Sequence, residues 1–130
     1  MTAQEIFDKV FEHLVSQGRR SVRDMSHFCQ YRLVLDSGEV LKCAVGCLIP
    51  DELYDPDMEG LTVTQLFRDY PQIMQKAGID NFLELLKRLQ SVHDGCFTTV
   101  EDIMVAMRGV SIVAGLEYRV PNVQPKESTK

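Results

Sequence analysis

The chain has no apolar run of about 18 residues, no basic leader ahead of an apolar segment, and no surplus of positive charge. The first absence argues against a transmembrane helix; the longest apolar stretch, around Val110 to Leu116, is short and contains glycine. The second predicts no ordinary signal peptide, since MTAQEIFDKVFEHLV reads as an amphipathic helix with acids throughout. The third disfavours nucleic acid and anionic membrane as partners. Both need a field of positive charge, and here 19 acids stand against 14 Lys and Arg for a net charge of -5. Arg19, Arg20 and Arg23 are a local exception, read as a solvated loop with Asp24 beside them. Also missing are a Walker glycine loop, a dinucleotide fingerprint and an HExxH helix, so no cofactor is expected on motif grounds. Nor do the aromatic residues interleave with a basic strip as stacking platforms for nucleic acid would.

What remains is an ordinary globular composition, 45% apolar and 25% charged over 130 residues. That length suits one domain, which can bury roughly two thirds of its surface without a disulfide or metal. The expected setting is cytosolic, where the four cysteines stay reduced by default. No repeat and no long linker divide the chain.

The pattern predicts a mainly α (α+β) fold: one small domain over 1–120, with about five helices and one short antiparallel β-hairpin at about 29–42. A flexible polar tail follows at 121–130. Thr2 and Glu5 form a capping box ahead of Ile6, Phe7, Val10, Phe11 and Leu14, and Gly18 ends that helix. Tyr31, Leu33 and Leu35 alternate with Gln30, Arg32 and Val34 before the turn Asp36-Ser37-Gly38, and Glu39 to Lys42 return antiparallel. A short helix is expected from Cys43 to Pro50, its Gly46 permitting close approach of another element. Thr62 and Gln65 cap the next segment, and Pro71 starts another that Gly78 ends. Asp80 is expected to cap a helix buried through Phe82, Leu83, Leu85, Leu86, Leu89 and Val92, stopped by Asp94 and Gly95. Thr98 or Thr99 caps a last helix that Gly109 and Gly115 weaken or divide.

Chemistry concentrates in one cluster. Cys43 and Cys47, four apart on a helix, would share a face, and the returning ribbon would bring Cys29 and His27 beside them. Besides a disulfide or redox pair, three readings stay open. His27, Cys29, Cys43 and Cys47 are candidate ligands of a structural zinc, although their spacing is not a zinc-finger pattern. Cys43 or Cys47 is a candidate nucleophile with His93 as base, for which Asp94 is expected to be a poor orienting partner. The third and leading reading is buried, reduced cysteine. Asp55, Asp57, Glu59 and Gly60 match the start of a calcium loop, but Leu66 stands where the pattern requires glutamate.

The string CQYR…LKCAVGCLIPDELY…MEG, with LQSVHD further on, resembles a group of small uncharacterised proteins of bacterial and phage genomes. The resemblance rests on Cys29, Tyr31, Arg32, residues 42–54, residues 58–60 and residues 89–94. It implies a bacterial or viral cytosolic setting and a small accessory protein, and it carries no activity. The functional expectation is a non-catalytic accessory or regulatory protein acting through contact with a protein partner or itself. Leu53, Tyr54, Val63 and Met74 are its expected exposed apolar contacts. The alternatives are a cysteine-dependent hydrolase or a zinc-stabilised domain.

Overall fold

A computed structural model describes residues 1–18, 30–94 and 99–122. Five α-helices surround one core: α1 (Ala3–Gln17), α2 (Val63–Asp69), α3 (Pro71–Lys76), α4 (Leu83–Asp94) and α5 (Val100–Ala114). A two-stranded antiparallel ribbon, β1 (Arg32–Val34) and β2 (Val40–Lys42), lies between α1 and α2 in sequence. Three short three-ten turns then lead from β2 to α2. The fold class and hairpin expected from the residue pattern are therefore the ones observed. The parts of those expectations that fall on Arg19, Arg20, Arg23, His27, Cys29, Gly95 and Thr98, or on the tail beyond Asn122, lie outside the described residues.

Three of these helices begin at a capping box. Thr2 accepts from the Glu5 amide while Glu5 reaches back to the Thr2 N–H, and Gly18 closes α1 at φ 72°. Thr62 with Gln65, and Thr99 with Asp102, repeat the capping box at α2 and α5. Asp80 falls short of its expected role, because it sits in a turn and α4 begins only at Leu83. Gly109 does not divide α5, which runs unbroken to Gly115. One glycine in fifteen residues costs about 1 kcal/mol, less than the burial of Ile103, Met107 and Val110 returns.

α1 is the axis of the core. Ile6, Phe7, Val10, Phe11 and Leu14 are buried against α4, α5 and the turn Gly46–Leu48. The ribbon pairs Arg32 with Lys42, Leu33 with Leu41 and Val34 with Val40, placing Leu33 and Leu41 inward and Val34 outward. Two strands alone are marginal in water. Here side chains close both edges of the ribbon. The Gln17 carboxamide accepts from the Lys42 N–H at 2.8 Å and donates to the Lys42 carbonyl at 2.9 Å, as a neighbouring strand would. The Glu59 carboxylate accepts from the Tyr31 and Arg32 amides at 2.9 and 3.1 Å.

The expected helix over Cys43 to Pro50 is corrected. A turn at Ala44 and Val45 leads into a three-residue three-ten turn, Gly46–Leu48, with a single helix-like bond from Cys47 N–H to Cys43 O. Gly46 at its centre and Pro50 at its end both oppose α-helix propagation. The acidic stretch after Tyr54 is likewise more than a loop. Asp55 accepts from the Asp57 amide to cap a three-ten turn over Pro56–Met58, and Met58 is fully buried.

Candidate functional site

The cysteine turn is a core element. Cys43 is completely buried, and its sulfur accepts from the Gly46 N–H at 3.3 Å. Cys47 lies at the core edge and donates its S–H to the Ala44 carbonyl at 3.1 Å. Burial pushes the Cys47 thiol up to about 12, although Lys9 and Lys42 pull the other way. Each sulfur is thus engaged inside its own turn. A thiol of that pKa holds about one part in 10^5 as thiolate at neutral pH, which weighs against Cys47 as a nucleophile.

α4 approaches the same turn through Gln90, whose Oε1 accepts from the buried Val45 amide at 3.1 Å. Its Nε2 donates to Asp94 Oδ1 at 3.1 Å. One residue before Asp94, His93 is fully buried, with Nδ1 at 3.0 Å from the same Asp94 oxygen. Asp94 does therefore orient His93, contrary to the expectation from adjacent positions on a helix; the end of α4 lets the two side chains converge. Among the described residues, no group of three or more His, Cys, Asp or Glu is placed to hold a metal ion. His27 and Cys29, the other two candidate zinc ligands, are outside that set.

A second polar cluster lies on the ribbon. Arg32 and Lys42 are cross-strand partners, and like charges so placed repel. Asp51 sits on both, 3.3 Å from Arg32 and 3.0 Å from Lys42. The Lys42 hydrogen bond and charge, then Arg32, hold the Asp51 carboxyl below its usual range. The Arg32 guanidinium also lies 5.7 Å from the Tyr54 ring centroid, and the Tyr54 hydroxyl donates to Glu59 at 2.6 Å. Burial, then that bond to a carboxylate, pushes the Tyr54 hydroxyl up. Glu59 thus accepts from two amides and a phenol, and Asp55 is spent on a cap, so neither acid is free to serve a calcium loop. Tyr31, Arg32, Lys42, Asp51, Tyr54 and Glu59, all among the residues that carried the resemblance, tie the ribbon to the three-ten turns.

A cleft of about 380 Å³ separates residues 60–64 from α4. Exposed Thr62, Thr64, Lys87, Ser91 and Asp94 and buried Tyr31 and Gln90 are among its lining residues. Ser91 donates to the Lys87 carbonyl, Lys87 lies 3.7 Å from Glu84, and Asp94 serves Gln90 and His93. Each of these bonds lies within α4.

The outer face of α5 differs in kind. Val105 is 74% exposed, Ile112 73% and Val113 61%. With Gly109 they follow helical spacing and form one apolar stripe. A methyl group built on Gly109 would meet nothing within 4 Å, so the fold does not need a glycine there. The expected apolar contacts are corrected: Val63 and Met74 belong to the core, and Leu53 and Tyr54 are half-buried against it. The signal for α5 was present in the sequence, where SIVAG closes a helix whose inward face was already supplied by Ile103, Met107 and Val110.

No family model, no curated protein and no solved structure matches this chain. Among the described residues, no helix is long and apolar enough to cross a membrane.

Proposed function

We propose that the chain is a non-catalytic accessory or regulatory protein that acts by contact with a protein surface, in the bacterial or viral setting that its resemblance implies. The observation that carries this reading is the α5 stripe. Three branched apolar side chains stand in water on one face of a continuous helix, and the glycine among them lowers helix propensity without serving the fold. Isolated exposed apolar residues are ordinary, whereas several on one helix face mark a contact surface. The buried Cys43 and His93, and the raised Cys47 thiol, favour packing over catalysis.

Light scattering coupled to size exclusion tests this reading on the wild-type chain and on Val105→Asp/Ile112→Asp, each alone and after incubation with host extract. The expected result is a species heavier than the monomer that the substitutions abolish while circular dichroism stays unchanged. Identical monomeric profiles for both proteins in both conditions would contradict it.

A further inference from the structure

We infer that one face of α1 is a peptide-docking site, filled in cis by residues 116–122 of its own chain and suited to the same segment of a second copy. α5 ends at Gly115 in the left-handed region, φ 68°, with the Leu116 amide bonded back to Ser111. Beyond it the chain is irregular and lies along α1. Glu117 is read through its backbone: its N–H donates to Gln4 Oε1 at 2.9 Å, and its carbonyl accepts from Gln4 Nε2 at 3.0 Å. The Tyr118 ring packs on Phe11 with centroids 5.6 Å apart. Arg119 reaches Asp8 at 3.2 Å and also meets the Glu117 carboxylate. Asp8 in turn accepts from Gln4 Nε2 at 2.9 Å and steadies the amide.

Gln4, Asp8 and Phe11 occupy positions i, i+4 and i+7, one stripe of α1. Together they select the N–H and C=O of one backbone residue, then an aromatic ring, then a cation. Peptides are recognised in this way when main-chain bonds supply affinity and side chains supply selectivity. The segment that satisfies all three is residues 116–122 themselves, which commits the occupant in trans to a second copy. Glu117 lies two residues past Gly115, so the tether gives the cis segment an effective concentration in the millimolar range. The wild-type chain at micromolar concentration therefore stays closed on itself. If Gly115 adopted helical angles, α5 would continue and carry the segment away from its own α1, the hinge on which exchange of a terminal element depends. This docking site is separate from the α5 stripe and stands or falls without it.

Full-length Asp8→Arg and Arg119→Asp chains test it, because each variant disables its own ion pair and their mixture restores it between copies. Sedimentation of the mixture at roughly millimolar concentration should give at least about fivefold more dimer than either variant alone. Native mass spectrometry should identify that dimer as one copy of each. The double variant Asp8→Arg/Arg119→Asp should return to the wild-type profile, and Gly115→Ala should raise wild-type dimerisation about tenfold. A mixture no more dimeric than its components overturns the inference. So does a mixed dimer that Val105→Asp/Ile112→Asp abolishes, since that assigns the contact to α5. If Asp8→Arg does not fold, a peptide of residues 116–122 titrated into the Tyr118→Ala chain replaces that arm. Amide shifts at Gln4, Asp8 and Phe11 are expected, and their absence at millimolar peptide overturns the inference.

Discussion

Two interior glycines in this chain should respond to alanine with opposite signs, and Gly46 is the stronger test. A Cβ on Gly46 would fall well inside van der Waals contact of the Tyr31 carbonyl oxygen, 2.8 Å from its carbon and 3.0 Å from its Cα. All three are backbone atoms of a residue held by the Glu59 carboxylate and buried on the core side of the ribbon. No side-chain rotation relieves the clash, so ribbon and turn must separate by roughly 1 Å, a displacement that forfeits much of their dispersion contact. Overpacking costs about 1–3 kcal/mol or more, and alanine recovers about 0.5–1 kcal/mol of backbone entropy. The clash is with backbone that no rotamer can relieve, so the cost falls at the upper end of that range and the net loss should be about 2 kcal/mol, which for a domain of this size lowers the melting temperature by roughly 8 °C. Urea unfolding followed by circular dichroism measures it directly. Gly109→Ala should instead stabilise by up to about 1 kcal/mol, because its new methyl meets nothing. A neutral or stabilising Gly46→Ala would refute the close approach of Tyr31 to the three-ten turn.

Glu59→Ala removes the acceptor for two backbone amides and the Tyr54 hydroxyl. It should cost about 2–3 kcal/mol in urea unfolding, with Glu59→Gln intermediate; equal stability of all three proteins would dissociate Glu59 from the ribbon. Burial raises the Cys47 pKa from 9.0 to about 12. Below pH 9 both folded and unfolded chains carry the thiol and pH has no effect through it, whereas above pH 9 the unfolded chain releases the proton and the folded chain keeps it. Stability should therefore fall as pH rises through that window, by about 1.4 kcal/mol at pH 10 for this group, and Cys47→Ala should lack that part of the decline. Iodoacetamide should reach Cys43 only after unfolding, as followed by peptide mass mapping; rapid native labelling would place its sulfur at the surface instead of in the core.

The legible parts of the fold were those set by local chemistry. Thr2 with Glu5, Thr62 with Gln65, Gly18 and the Asp36-Ser37-Gly38 turn each act within a few residues, so sequence spacing alone locates them. The alternation of Tyr31, Leu33 and Leu35 likewise marks the inward side of the ribbon. Gly46 was read correctly as a point of close approach, while its helix was not, because glycine and a nearby proline favour the tighter three-ten turn. Less legible were the glutamines. Gln4, Gln17 and Gln90 each satisfy backbone groups far away in sequence, on Glu117, Lys42 and Val45, and no spacing rule reports such a partner. The site was less legible than the fold. Cysteine and histidine drew attention by their chemistry, yet Cys43 and His93 turn inward, and the most exposed of the large apolar residues, Val105, Ile112 and Val113, belong to α5.

The reading of α5 as a contact surface is tested most directly by placing a photo-crosslinking amino acid at Ile112 in cells, with Ser37 at the hairpin turn as the control position. A discrete adduct from Ile112, abolished by Val105→Asp and absent from Ser37, is the expected result. Only uncrosslinked chain at Ile112, or the same adducts from both positions, would contradict it.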